Sequence, residues 1–414
     1  MATVMIFSLP FFSHVKPTLP LVAELLARGE TVIYYSDEQY RELLADYDVD
    51  FRSYGNMREL FVDENDPGLF LSNPQTMLEH LVPGVIQKSR AVLHAILAEV
   101  MAEQPDYIVR DSDAHWGKLI AELLEVPVAC YVLTFAINQA LLEKDHHFLI
   151  HKVFRIQEGY AFADTTASEL NRLAGELAER HHIQDFGLVD AFSGNEELNL
   201  VYTSKVFQPH SDVFDDRFVF IGPQFPNVSS VMLQSMRERT KQEHELPLIY
   251  ISFGSIYTDR PDFYLKCIEA FRYSEAQIMM SVGKSIDISS LGDIPENMTV
   301  SAFVPQLEIL SKANVFISHA GYNSVSEALA FGVPMILFPQ GADQFAIASR
   351  LEELGVGVYG RDINISASDL KDMTFETMRS EKMKAEAVRL GSSFFETGGM
   401  VEGVSRIMEF VEQT

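Results

Sequence analysis

A chain of 414 residues exceeds a typical single domain and suits two of about 200 residues each. Hydrophobic residues make up 47% and charged residues 22%, as in globular proteins, so each half can bury a core. A formal net charge of −27 argues against nucleic acid or an anionic membrane surface as a main partner.

In chain order, Val4 to Leu9 reads as a strand, Pro10 to Lys16 as a loop and Pro17 to Arg28 as a helix. Proline stands in that helix's first turn and Gly29 lies just past its end. Thr31 to Ser36, Tyr107 to Arg110 and Val128 to Leu133 read as further strands, with a helix over Gly117 to Leu124. Such alternation predicts a parallel sheet wound on both sides. Glu143 to Arg180 reads as helical and amphipathic in parts. Its His146, His147 and His151 do not share one helix face, so the spacing argues against a metal site. Leu200 to Ser204 is another strand.

Pro209, Gly222, Pro223 and Pro226, followed by a highly charged run, mark the best linker candidate. A second alternating set follows, with strands over Leu248 to Phe253, Gln277 to Val282, Met298 to Phe303 and Asn314 to Ser318. The expected organisation is a first domain over 1–210, a linker over 211–240, a second domain over 241–398 and a final helix over 399–414. That helix has Val401, Val404, Ile407, Met408 and Val411 on one side. The expected fold class is α/β, with two doubly wound, Rossmann-like domains facing across a cleft. The two cysteines, Cys130 and Cys267, sit far apart beside apolar residues and read as buried thiols. No run reaches the ~20 apolar residues of a membrane helix and no basic region follows Met1, so a cytoplasmic protein without membrane insertion is expected.

A dinucleotide or a nucleoside triphosphate is the obvious ligand of a doubly wound sheet. The first strand, however, continues as Ser8-Leu-Pro-Phe-Phe-Ser-His14 without G-x-G-x-x-G, and no G-x-x-x-x-G-K-[ST] occurs in the chain. The ligand signal lies between Phe303 and Gln344, where polar residues cluster at strand-to-helix junctions, the places where such sheets bind ligands. In His319-Ala-Gly-Tyr-Asn-Ser324, Gly321 lets the backbone turn and a ligand approach. The amides of the helix start that follows favour a phosphate, and His319 can donate to the same anion. Glu327, one turn in, can accept two hydrogen bonds from a ribose diol. Ser324-Val-Ser-Glu327 equally fits a capping box, in which both side chains only satisfy backbone donors.

The ordered set Phe303, Gln306, His319, Gly321, Asn323, Ser324, Glu327, Asp343 and Gln344 closely resembles the donor signature of nucleotide-sugar-dependent glycosyltransferases of the macrolide and flavonoid type. The resemblance is strongest to the bacterial macrolide-type branch. It spans most of the chain, weakly over about 55–105 and 140–195. It implies a GT-B fold in which Phe303 stacks on the base, the backbone near Val304 reads the base edge and Gln306 lies near the ribose. It also implies that His319, with the amides near Asn323 and Ser324, holds the diphosphate together with Ser255. Glu327 would hold the ribose hydroxyls, and Asp343 and Gln344 the sugar. Phe303 replaces the tryptophan common in plant members. By the same resemblance the final helix crosses back onto the first domain.

His14 is the second polar focus. It sits just ahead of a helix start, which disfavours imidazolium and suits a neutral general base; it could equally cap the helix or pack in the loop. Phe12-Ser-His-Val-Lys-Pro-Thr-Leu-Pro-Leu21 resembles the segment that carries the family's catalytic histidine. Ile108-Val-Arg-Asp111 resembles the element that carries its acidic partner, with Asp113 as runner-up. The alternative role for Asp111 is to cap the helix that follows. The implied reaction is an inverting transfer of a sugar, glucose foremost, from a UDP-sugar to a hydroxyl of a small lipophilic acceptor such as a flavonoid, phenol or macrolide. No metal and no cofactor beyond the co-substrate are expected, and the chain is expected to be a monomer or weak dimer. Phe11, Phe12, Trp116 and Phe135 are candidates for an aromatic acceptor wall, with Ser112, His115 and Asn138 as polar contacts. Alternatives are a dTDP-deoxysugar transferase of antibiotic biosynthesis, a nucleotide-sugar-binding protein without turnover, and a sugar-nucleotide epimerase.

Overall fold

Short runs of β-branched, aromatic and aliphatic residues form the strands, and their continuous apolar character fits parallel sheets covered on both faces. A computed structural model of the chain describes residues 2–55, 74–145, 148, 167–180, 183, 186–192, 195–225, 246–254, 260–341 and 343–414. Ser255 and the histidines at 146, 147 and 151 lie outside the described residues. The chain divides into two compact units, Met1–Pro226 with Phe395–Thr414, and Asn227–Phe394.

The first unit carries strands β1 (Thr3–Phe7), β2 (Thr31–Ser36), β3 (Val49–Ser53), β4 (Tyr107–Asp111), β5 (Val128–Val132), β6 (Leu198–Val201) and β7 (Phe218–Phe220). They form a parallel sheet of order β3-β2-β1-β4-β5-β6-β7. The second unit carries β8 (Leu248–Ser252), β9 (Gln277–Ser281), β10 (Met298–Ser301), β11 (Val315–Ser318), β12 (Met335–Leu337) and β13 (Gly357–Tyr359). Their order is β10-β9-β8-β11-β12-β13, again parallel. In both sheets the winding direction reverses beside the first strand, between β1 and β4 and between β8 and β11. Such reversal points open a crevice at the carboxyl ends of the strands.

Several expectations change. The linker expected from residue 211 is folded up to residue 225: it holds a short 3-10 turn, Ser211–Val213, and then β7. Phe214, Phe218 and Phe220 meet edge to face there, and this aromatic contact overrides the nearby Gly and Pro signals. The loop expected over Pro10 to Lys16 is already helical over Phe12–Val15, followed by a 3-10 turn over Lys16–Thr18 and a helix over Leu19–Ala27. A 30-residue helix, Pro74–Glu103, tolerates Pro83 inside it. Its Val92, Ile96 and Val100 complete the core that holds Trp116.

The final helix, Gly399–Gln413, belongs to the first unit and buries Met400, Val404 and Ile407 in the β1–β6 core. Val401, expected on that face, points outward, where its carbonyl accepts from the Arg28 guanidinium. Gly403 lets the helix approach closely, because a Cβ there would lie 3.3 Å from Ile221 and Leu200 side-chain carbons.

Candidate active site

Strand register brings His14 and Asp111 together. Phe7 at the end of β1 pairs with Arg110 of β4, so the turn after β1 lies beside the last residue of β4. His14 Nδ1 and Asp111 Oδ2 are 2.8 Å apart, with Asp111 fully buried and the imidazole 22% exposed. The other carboxylate oxygen, Oδ1, accepts from the Asp113 backbone amide at 3.0 Å. A His14 ring nitrogen and one carboxylate oxygen from each of Asp111 and Asp113 lie within 4.8 Å of one another. The alternative role for Asp111 fails: the N-cap of the following helix, His115–Leu124, is Ala114.

The turn that carries His14 is tied down by groups the sequence did not flag. Thr18 donates its hydroxyl to the Val15 carbonyl at 2.8 Å, so the Tyr34 hydroxyl, 2.7 Å away, donates to Thr18. Burial pushes the Tyr34 phenol far above its usual range, so it stays a donor. A polar tyrosine inside the apolar run of β2 was the available signal.

The proposed acceptor wall is largely dismantled. Trp116 is a core residue, 1% exposed, with its indole N–H donating to Tyr54 at 3.3 Å. Phe135 is buried edge to face on Phe207. Asn138 caps the helix Gln139–Lys144, accepting from Leu141, and donates to the Val213 carbonyl. His115 is half-buried, and its pKa is held down at about 3 by desolvation first and then by nearby Arg110, Lys118 and Lys88. Ser112 is buried. Phe12 remains exposed, and Phe11 lies 5.9 Å from the His14 ring, centroid to centroid.

In the second unit the corresponding reversal point holds His319. Ser252 of β8 and Ser318 of β11 are register partners. Each serine hydroxyl accepts from the amide two residues on, Gly254 and Ala320. Both of those residues are left-handed, with φ of 75° and 66°. The sharp turn expected at Gly321 is therefore made by Ala320, a strained and fully buried alanine. Gly321 has an ordinary φ of −64° and serves another purpose. A Cβ on Gly321 would lie 2.3 Å from His319 Nε2, and one on Gly254 would lie 2.7 Å from the same atom. The imidazole thus occupies a slot between two glycines. Burial holds its pKa down at about 4, against a smaller upward pull from the Ser252 backbone, so it is neutral at ordinary pH.

The capping-box alternative fails here. The helix begins at Tyr322 with Gly321 as its N-cap and no side-chain cap bond. Gln306 instead donates its amide to Ser324 Oγ at 3.1 Å and to Glu327 Oε2 at 2.7 Å. Tyr250 donates to the amide oxygen of Gln306 at 2.9 Å, which fixes the amide's orientation. Tyr250, stacked on Phe316 at 4.7 Å, was missed because it reads as one more strand residue. Glu327 is buried, Val304 is buried and Phe303 is 79% exposed just past β10. Asn323 lies in the first turn of the Tyr322–Ala330 helix. Asp343 is the N-cap of the helix Gln344–Glu353, and Gln344 accepts from the amides of Gln340 and Gly341, closing that loop.

Two parallel-sheet units, each with a polar focus at its reversal point, define a GT-B protein. Residues 270–404 match the C-terminal domain family described as erythromycin biosynthesis protein CIII-like. The chain is 32% identical over 421 residues to the NDP-glycosyltransferase YjiC of Bacillus subtilis, covering 98% of this chain and 97% of the relative. It is 30% identical, again over 421 residues, to the UDP-glucosyltransferase YojK of the same organism, itself uncharacterised, covering 100% and 98%. Among solved structures, the calicheamicin glycosyltransferase CalG4 superposes with a TM-score of 0.80 at 20% identity, over 100% of this chain and 99% of that one. The chain belongs to the macrolide-type UDP-glycosyltransferase family. Among the described residues no helix is long and apolar enough to cross a membrane.

Proposed function

We propose that this glycosyltransferase moves glucose from UDP-glucose to a hydroxyl of a small lipophilic acceptor, with inversion at the anomeric carbon and without metal or cofactor. The observation that carries the reading is the contact between His14 Nδ1 and the buried carboxylate of Asp111. That contact fixes the ring and leaves Nε2 as the atom to meet an acceptor hydroxyl. As the acceptor oxygen bonds to the anomeric carbon, its proton passes to Nε2. The bond from that carbon to the diphosphate oxygen breaks, and the diphosphate leaves with the electron pair. Asp111 balances the imidazolium that forms. His319 and the amides at the start of the Tyr322–Ala330 helix meet the charge on the leaving group.

The exposed Phe303 ring stacks on the base, and Glu327, preset by Gln306 and Tyr250, takes the ribose diol. A diol favours UDP over dTDP, which lacks the 2′-hydroxyl. The names of the similar Bacillus proteins support a nucleotide-sugar donor, and one of them supports glucose. The test is UDP release from UDP-glucose, with and without phenolic, flavonoid and macrolide acceptors, for wild type and His14→Ala, with dTDP-glucose run alongside. Acceptor-dependent release that vanishes in the variant is expected. Faster turnover of dTDP-glucose would overturn the donor assignment, and an active His14→Ala would overturn the base assignment.

A further inference from the structure

Arg110 is an arginine with almost no exposed surface, one residue before the buried carboxylate that holds His14. A buried guanidinium persists only where its donors are met and its charge is balanced. Its Nε and Nη2 reach Glu196 Oε1 at 2.8 and 2.7 Å, and Glu196 is itself buried. Its Nη1 donates to two backbone carbonyls, those of Asp111 and Ser112, each at 3.0 Å. Glu196 is anchored in turn: its amide donates to Asn199 Oδ1 at 3.0 Å, and Asn199 Nδ2 donates to the Glu196 carbonyl at 2.7 Å. The stem of Arg110 lies against Gly117, where a Cβ would sit 2.8 Å from Arg110 Cβ. Three elements therefore converge on one side chain whose free end grips the turn that aims Asp111.

We propose that the Arg110–Glu196 pair is the positioning device of the His14–Asp111 dyad. The inference rests on the reading of His14 as general base. Neighbouring side chains on a strand point to opposite faces, so Arg110 cannot touch His14; it acts through the Asp111–Ser112 backbone. It also sets the charge balance. With His14 neutral, Arg110, Glu196 and Asp111 sum to one negative charge, and the proton taken from an acceptor cancels it. Other groups around the dyad are Asp113, in the same turn, and Lys16, on the His14 segment. The buried phenols of Tyr34, Tyr131 and Tyr202 are pushed far up by burial and stay neutral. Around Arg110, burial keeps the Cys130 thiol neutral, and His115 is neutral above a pKa of about 3.

The test compares three variants of the full chain, with the emission of Trp116, the one tryptophan, reporting the fold of the first unit. Arg110→Lys keeps the charge but cannot bridge two carbonyls and a carboxylate at once. It is expected to lower kcat about tenfold, with the KM for donor and the acid limb of the kcat/KM profile in place. Glu196→Gln keeps the shape and removes a negative charge, so the acid limb moves to lower pH by about half a unit or more. The double variant Arg110→Met/Glu196→Leu replaces the pair with apolar groups, which buried pairs tolerate. There the limb returns towards wild type while kcat stays low. Wild-type kcat and profile in Arg110→Lys and Glu196→Gln would overturn the proposal, and so would an unmoved limb in Glu196→Gln. His14→Ala separates the two ideas: if it is inactive while these variants behave as wild type, only the positioning role falls.

Discussion

Replacing Gly321 with alanine is a clean way to ask whether His319 serves the donor diphosphate. The backbone tolerates the change, since φ −64° and ψ 135° suit any L-residue. As an N-cap, alanine is worse than glycine by about 1 kcal/mol or less, and the stiffer unfolded chain returns ~0.4–1 kcal/mol, so stability barely moves. The side chain is another matter. The new Cβ would lie 2.3 Å from His319 Nε2, far inside van der Waals contact, and the ring has Gly254 on its other side. The imidazole must therefore leave its slot. If it donates to the diphosphate, the loss is one hydrogen bond to a charged group, about 1.5–3 kcal/mol. That is a rise of roughly 10- to 150-fold in the Kd for UDP, measured by calorimetry alongside the thermal midpoint. In a His319→Ala background there is no ring to displace, and Gly321→Ala should then change UDP affinity less than about threefold. Equal losses in both backgrounds would refute the slot reasoning, as would wild-type affinity in the single variant.

Three further outcomes follow from the same geometry. Asp111→Asn keeps the shape of the dyad but lets the amide present its N–H to Nδ1 and removes the charge that balances imidazolium, so kcat should fall about 10²–10⁴-fold with UDP binding intact; a loss under tenfold would count against the dyad. His319 links stability to pH. Its pKa is 6.5 unfolded and about 4 folded, so between these values the unfolded chain binds more protons. This contribution is complete above pH 6.5, falls as pH drops and is gone near 4. Between pH 7 and 5 wild type should lose about 2 kcal/mol more than His319→Asn in urea unfolding, and equal losses would contradict the buried neutral ring. Gly391→Ala, in the helix Glu381–Phe395, should destabilise by more than about 2 kcal/mol, because its Cβ would lie 1.9 Å from the Leu329 carbonyl oxygen, a backbone atom that cannot swing aside; an unchanged melting temperature would show that this helix and Tyr322–Ala330 part easily.

What the sequence discloses differs between backbone pattern and side-chain destination. Strands such as β1, β2 and β8 are legible because a parallel sheet buried on both faces demands continuous apolar runs. The spacing of His14 and Asp111 in the chain says nothing of their contact, which depends on β1 and β4 being neighbours; only the family resemblance pointed to it. β7 is illegible because three residues make no pattern; it pairs with β6, and Phe214, outside the strand, packs edge to face on its Phe218 and Phe220. Trp116 looked like a pocket residue because composition cannot tell an aromatic that faces a ligand from one that faces Tyr54. The left-handed Ala320 could not be read, since glycine is the residue that normally marks that conformation and glycine stands one place later.

Glu327 is held in a defined place, and this bears on how the proposed donor site would discriminate. Tyr250 fixes the Gln306 amide, and that amide occupies one oxygen of Glu327. A ribose that meets the carboxylate exchanges hydrogen bonds with water for hydrogen bonds with protein, so the net gain in affinity is modest, ~1 kcal/mol per bond. A sugar lacking a hydroxyl displaces the water and offers nothing in return to a carboxylate that is already largely buried, and that penalty is larger than the gain. On that reading, a rigid, pre-oriented acceptor of hydrogen bonds would contribute more to rejecting a 2′-deoxy donor than to holding the correct one. The chain's departure from tryptophan at Phe303 fits the same division. On the proposed reading the exposed ring would give stacking that is nearly indifferent to the base, and selection between nucleotides would fall to the half-buried Gln306 with the buried Tyr250 and Glu327.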